Sequence, residues 1–569
     1  MRMGPSRSAP LACVAFQEWV TMFPERNKLT GGEALHLQTD VLVIGGGPAG
    51  AWAALAAAEA GARVVLADKG YLGTSGATAP SNTGTWYVPP GEGRQQVIER
   101  RFERTGGLAD QRWMLRCVDG AYENLLKLSE WGYPFPSEDD GTLYIANLRG
   151  PDYMAFMRRR VLLSKVTVLD HHPALELLSD GEAVTGAAGI DRQRGRDWRV
   201  DAKAVVVATG GCAFGERILG ATTLTGDGYL MAAEAGASLS GMEFTGKYTM
   251  APHGSSLNKG LPFRWATFYR EDGSPLVDGN GEHLSNGISE RERDIAKAMI
   301  DAPVYARLDM AEPALQDWLR RGQPNCFTPY DRMGIDPFKD LFRVTLKAEG
   351  TVRGTGGIRI ATSDCGTDVT GLYVAGDAAS RENLTGATSG GGGPNSSWAI
   401  ASGWWSGQGA ATFARRDGRK SFRHTSRALG RVGLRPTSHA RPDLLAKDVV
   451  DRVRAEVIPL EKNYFRDGNR LESSRRRLES LWADVRDHLS GEGQDRLRAR
   501  EAASIAASGR WSLLAALSRQ ESRGLHRRSD LTASNPNFVH RIVLSGVDDV
   551  AIGPDPDRAR GQSQGELAS

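Results

Sequence analysis

Three glycines, Gly45, Gly47 and Gly50, have the spacing to hold a phosphate, in the segment TDVLVIGGGPAGAWAALAAAEAGARVVLADKG (residues 39–70). In a G-x-G-x-x-G turn the first glycine permits a tight bend and the second lets a pyrophosphate approach the backbone. The third lets the following helix pack on the strand. Pro48 and Ala49 open that helix, whose positive N-terminus suits an anion. Asp68, followed by Lys69, can accept hydrogen bonds from a ribose. Positioning these groups requires a buried apolar strand at 41–44, an alanine-rich helix at 48–60 and a second strand at 64–67. The chemistry is dinucleotide binding.

Two distant segments extend the pattern. Residues 203–211, KAVVVATGG, predict a buried strand entering a glycine turn at Gly210, and residues 371–380, GLYVAGDAAS, a strand ending in Gly-Asp. Only a discontinuous Rossmann-type domain brings all three together. With TGDGYLMAAEAGASLSGMEF (225–244) and RQESRGLHRRSDL (519–531), the chain resembles the succinate dehydrogenase/fumarate reductase flavoprotein family. That family includes aspartate oxidase and the flavin subunit of adenylylsulfate reductase, and the resemblance runs from about residue 39 to about 544. It implies FAD as cofactor and an α/β fold: a Rossmann-type FAD-binding domain, an inserted α+β capping domain and a C-terminal helical domain.

The resemblance also assigns groups to the cofactor. GGGGPNSSWAIASG (390–403) corresponds to the helix start that faces the flavin O2, with Asn395, Ser396 and Ser397 as caps or donors; a plain N-cap is the alternative. Asp377 and Asp227 correspond to FAD contacts, and residues 172–174, ending in Ala174, to backbone contacts with adenine. The family's covalent Ser-His-Thr motif corresponds to Thr74-Ser75-Gly76-Ala77-Thr78, with glycine in place of histidine. FAD is therefore expected to be non-covalent, with Thr74 and Ser75 still near it.

The substrate side departs from the family. MEFTGKYTM (242–250) puts Tyr248 and Met250 where dicarboxylate-processing members have a histidine and a threonine. Val352 stands at a second histidine position, and Thr388 and Ser389 follow Gly386-Ala387 where a carboxylate-clamping arginine is expected. Neither threonine nor serine reproduces a bidentate guanidinium. Succinate, fumarate and aspartate are thus not the expected substrates. Alignment places Arg270 at the family's proton-delivering arginine, and Tyr248 is a phenolic acid or base by type; these are the expected catalytic residues. A surface turn and simple packing are their plain alternatives. Lys247, His253 and Arg353 are weaker candidates, while Arg523, His526 and Arg528 suggest ion-pair architecture where the helical domain meets the flavin domain.

The rest of the chain sets the frame. It has 569 residues, enough for two or three domains, and a net charge of +3 that calls for no nucleic acid. Five cysteines without a C-x-x-C argue against a cysteine-built metal site and suit a reducing cytoplasm. No apolar run approaches the ~18 residues that span a bilayer. The expected layout is a leader at 1–38, disordered or preceding a true start at Met22, then the FAD domain at 39–240 and 351–414. The cap occupies 241–350, a basic linker 415–442, read as a solvated loop or a docking strip for an acidic partner, and helices with a tail 443–569. The expected function is an FAD-dependent oxidoreductase moving a hydride between flavin N5 and an organic substrate that is not a simple dicarboxylate. Two alternatives stay open: the flavin subunit of an adenylylsulfate-reductase-like complex with a separate iron–sulfur protein, and a non-catalytic flavin electron carrier.

Overall fold

Strand Leu35–Ile44 is the spine of the molecule, because both its edges are used. In this computed structural model, which describes residues 34–285, 291–416 and 426–556, it pairs in parallel with Val64–Ala67 on one side and with Asp197–Val207 on the other. Its inner half, Val41–Ile44, is fully apolar and buried, as a parallel strand covered on both faces must be. Its outer half alternates Leu35 and Leu37 with His36 and Gln38. That alternation carries the strand six residues further back than expected, so 35–38 belong to the sheet and not to a leader; residues 1–33 lie outside the described ones.

Asp197–Val207 divides its second edge. Its early residues pair antiparallel with Val184–Ile190, and its last three pair in parallel with Leu372–Val374. The sheet has eight strands and is mixed, with a parallel centre extended by Thr167–Leu169 beyond Val64–Ala67. It gathers the three distant glycine-flanked strands into one α/β FAD-type domain, as expected. Helices Pro48–Glu59 and Gly392–Arg416 cross on one face. Gly403 and Gly407 let them touch: a Cβ at either would stand 2.5 Å from the Ala49 carbonyl oxygen or 2.2 Å from that of Ala53.

Between residues 240 and 350 the chain builds a separate layer. A four-stranded sheet in the order Tyr248–Pro252, Phe342–Ala348, Tyr305–Arg307, Thr267–Tyr269 carries helices Glu292–Asp301, Pro313–Gly322 and Pro324–Met333. Its own core contains Phe263, Phe268, Phe327, Tyr330 and Phe342. This is the expected capping domain. After it, helices Ala446–Val457, Gly468–His488 and Asp495–Ser518 form the C-terminal region. That region also contributes a hairpin, Ile542–Ser545 with Ala551–Pro554, which pairs with Leu239–Ser240 and was not anticipated.

The basic stretch at 415–442 is corrected in part. Residues 417–425 lie outside the described ones, but Arg427–Ala428 pairs antiparallel with Ser179 and Leu178, and Arg435 grips Glu176 at 2.6 Å. The later half is laid along the sheet edge, because its arginines find carboxylates there, and is no free loop.

Candidate active site

A cleft opens at the carboxyl ends of the central parallel strands, where ligands of open α/β sheets bind. The glycine turn forms part of its wall. Gly45 has φ of +114°, and a Cβ there would lie 2.3 Å from the Ala208 carbonyl oxygen. A Cβ on Gly50 would lie 1.8 Å from the Gly45 oxygen, so helix and strand touch only because both residues are glycine. Gly47 faces open space, and Pro48 and Ala49 line the cleft at the helix N-terminus. Asp68 lines it too, accepting from the Gly46 N–H (2.5 Å), the Gly70 N–H (2.7 Å) and the Ser75 hydroxyl (2.5 Å).

Further along lie Ala174, Gly210 and Asp227. Lys69 is beside them, but its ammonium is engaged: it donates to Asp227 at 2.7 Å, Glu501 at 2.9 Å and Thr225 at 2.9 Å. Burial alone would lower its pKa; the two carboxylates outweigh burial and hold it above the usual lysine value. Arg192, which no sequence signal marked, completes this wall and donates to the Lys69 carbonyl at 2.9 Å.

Asp377 and Asn395 also line the cleft. Arg381, fully buried, bonds the Asp377 carboxylate and also donates to the Thr351 carbonyl at 2.8 Å and that of Val352 at 3.2 Å. Burial raises the Asp377 carboxyl above its usual range, while Arg381 and Arg353 pull it back. Asn395 sits in the first turn of Gly392–Arg416 with both amide atoms buried and unpartnered, and the Thr209 hydroxyl in the same cleft is likewise unpartnered. Buried polar atoms are rarely left so unless a ligand meets them. Ser396 lines the cleft while donating to the Gly84 carbonyl at 2.6 Å. Ser397 is turned away and accepts from the Trp86 N–H at 2.8 Å. Thr74 is exposed in a turn, its hydroxyl 3.2 Å from the Tyr71 carbonyl oxygen, and does not line the cleft.

The last part of the cleft is lined by Asn258, Lys259, Glu349, Val352 and Arg353. Glu349 is fully buried and accepts from Thr249, from the Asn258 amide at 3.1 Å and from Arg353 at 3.5 Å. Lys259 gave no signal in the sequence: a lone lysine in SLNKG belongs to no periodic or spaced pattern.

The two expected catalytic side chains are not among the residues lining the cleft. Tyr248 is buried in the cap core, edge-on to Tyr464, with its hydroxyl donating to the Ile458 carbonyl at 2.7 Å. Burial pushes its phenol above the usual value, which keeps it a neutral donor. Arg270 is exposed at the end of Thr267–Tyr269, where its guanidinium reaches the Pro275 carbonyl at 3.3 Å. Met250 also packs in the cap core, and Lys247 faces Glu292 at 3.5 Å. Arg523 and Arg528 pair with Glu521 and Asp530 at 2.6 Å each, and His526 is buried against Arg466. Among the described residues no cluster of acids, histidines and cysteines could hold a metal, and no helix is long and apolar enough to cross a membrane.

The glycine cradle, the acid at the second strand and the waiting amide at the second helix fit an extended dinucleotide, and the comparisons agree on which. Residues 40–395 match the FAD binding domain family, and 458–552 match the fumarate reductase flavoprotein C-terminal family. The chain belongs to the succinate dehydrogenase/fumarate reductase flavoprotein family and is an FAD-dependent oxidoreductase. It is 28% identical to L-aspartate oxidase of Mycobacterium tuberculosis, over 91% of this chain and 97% of that protein. It is 22% identical to a chain of the CoM/CoB fumarate reductase of Methanothermobacter marburgensis, over 89% and 97%. In structure it is similar to quinol fumarate reductase of E. coli (TM-score 0.76, 20% identity, 92% and 97% covered). It is also similar to adenylylsulfate reductase of Archaeoglobus fulgidus (TM-score 0.73, 17% identity, 94% and 99% covered).

Proposed function

We propose that this oxidoreductase exchanges a hydride between non-covalently held FAD and an organic substrate that is not a simple dicarboxylate. Val352 carries the reading: it forms the wall of the cleft where dicarboxylate-processing relatives are expected to have an imidazole. Tyr248 and Met250, at two more anchor positions, are spent inside the cap. Gly45, Gly47, Pro48 and Ala49 would hold the pyrophosphate, Asp68 the ribose, and Asn395 and Ser396 the ring end. Gly76, with φ of +85°, lines the cleft where a covalently attaching histidine would stand. When bound, FAD supplies two-electron exchange. This chain's residues place it, shield it beneath the cap and give the substrate a polar end wall built on Glu349. Among the described residues four cysteines are buried and unpaired, which accords with a reducing cytoplasm.

The test is anaerobic. Acid-releasable FAD, bleached by a small organic compound but not by succinate or aspartate, is the expected result. Bleaching by a dicarboxylate at ordinary concentrations overturns it.

A second reading makes the chain the flavin subunit of an adenylylsulfate-reductase-like pair, with an iron–sulfur protein taking or giving electrons. The segment LPFRWATFY (261–269), which departs from the dicarboxylate-processing pattern, supports it. Flavin that responds only when such a protein is added would favour it.

A further inference from the structure

A second cavity meets the cleft at Ser81 and Lys259, which line both. It lies between residues 133–152 of the flavin domain and residues 321–326 of the cap, with Pro80, Pro134, Pro136, Pro151 and Tyr133 in its walls. The prolines and Tyr133 give it stiff apolar patches, and Arg149, Asp152 and Arg321 line it beside them. Asn325 donates across it to the Pro80 carbonyl at 3.0 Å, tying cap to flavin domain beside the junction.

The charges at the junction do not balance. Glu349 is the carboxylate here, and it is already held by Thr249, Asn258 and Arg353. Lys259 makes no ion pair among the described residues, yet it is enclosed between the two cavities. One positive charge is therefore left over in a sheltered place, an arrangement that is costly without a partner. Asn258, only 4% exposed, uses its amide nitrogen on Glu349 and leaves its carbonyl oxygen buried and unpartnered in the cleft wall. Lys259 thus lacks an anion, and the Asn258 oxygen lacks a hydrogen-bond donor.

We propose that Lys259 and Arg353 form an anion-binding pair at this junction, and that they hold the anionic group of an organic substrate whose carbon body extends into the second cavity. The inference rests on the oxidoreductase reading for the word substrate, but the site itself does not. Burial first, then repulsion from Arg353, brings the Lys259 ammonium down to about 8, with Glu349 pulling the other way, so it is charged at neutral pH. A carboxylate, sulfonate or phosphate held by Lys259 and Arg353 leaves its stem to run past Ser81 into the second cavity.

The experiment is calorimetric titration of the FAD-loaded protein with hexanoate, acetate and hexanamide. Hexanoate should bind about tenfold or more tighter than either of the others. Lys259→Met should weaken hexanoate about tenfold, Lys259→Arg should restore most of it, and the exposed control Lys447→Met should change nothing. Arg353→Met, titrated the same way, decides the matter if Lys259→Met does not fold. Hexanamide binding as well as hexanoate, or hexanoate binding equally to wild type and both methionine variants, overturns the proposal. Absence of bound FAD, or flavin that no organic compound bleaches, counts against the oxidoreductase reading instead, and calorimetry of the same protein still tests the anion site.

Discussion

Lys69 and Asp227, 158 residues apart in sequence, meet at 2.7 Å, and Glu501 closes the same ammonium from the C-terminal helix at 2.9 Å. Two residues expected to touch the cofactor thus also bind each other and bolt the helical region to the flavin domain. Lys69→Met should destabilise the protein by about 2 kcal/mol, less than a fully buried pair because the lysine keeps some exposure. Glu501→Gln added to it should cost little more. Additive losses in denaturant titrations of the two single variants and the double would show that the three groups do not act together.

Gly50 is the tightest point of the cradle. A methyl group there must displace the Gly45 carbonyl, so Gly50→Ala should lose at least about 2 kcal/mol and be purified with little FAD. The absorbance ratio of flavin to protein, with a thermal melt, checks both; full FAD occupancy would refute the role assigned to this contact.

Asn395 separates a ligand-binding group from a structural one. Its amide is buried without partners, so Asn395→Ala should leave the apoprotein as stable as before or more so. FAD affinity should fall about tenfold. A destabilised apoprotein with unchanged affinity would make Asn395 an ordinary cap.

Glu382 gives the pH dependence. It is 1% exposed, and burial, reinforced by Glu243, pushes its carboxyl up to about 7 against the pull of Arg541 and Arg519. The unfolded chain loses this proton near 4.5, earlier than the folded one. Stability from this group is therefore level below about 4.5, falls as pH rises to about 7, and is level again above. Glu382→Gln should match the wild type near pH 4 and exceed it by about 3 kcal/mol at pH 8, read by urea unfolding. An equal offset at both pH values would dismiss ionisation as the cause.

Tyr248→Phe and Arg270→Ala test the two side chains that sequence alignment favoured for chemistry. Both should keep turnover within about twofold, and Tyr248→Phe should lose about 1 kcal/mol by stranding the Ile458 carbonyl. A large fall in turnover with unchanged stability would return them to the reaction.

What could be read from the sequence divides along a physical line. Gly45, Gly50 and Asp68 were legible because backbone geometry forces residue type: only glycine fits the approach, and only at that spacing. The cap was legible because a long interruption of the Rossmann pattern must fold on its own core. Tyr248 and Arg270 do not line the cleft, because position in a motif says nothing about which way a side chain turns; the cap core holds one and solvent the other. Lys259 and Arg192 were invisible because each is a single cation in a polar loop, meaningful only once the cavity around it exists. The hairpin at 542–554 was overlooked because a strand that joins another element's edge carries little pattern of its own.

The Gly403–Gly407 seam has a consequence for selectivity. It fuses two helices whose N-terminal residues Pro48 and Asn395 both line the cleft. Pressed backbone to backbone, they move as one piece, so the span between phosphate cradle and ring amide works as a ruler. A flavin mononucleotide, with a ring and a phosphate of its own, would span both marks; only the full dinucleotide would go on to meet Asp68.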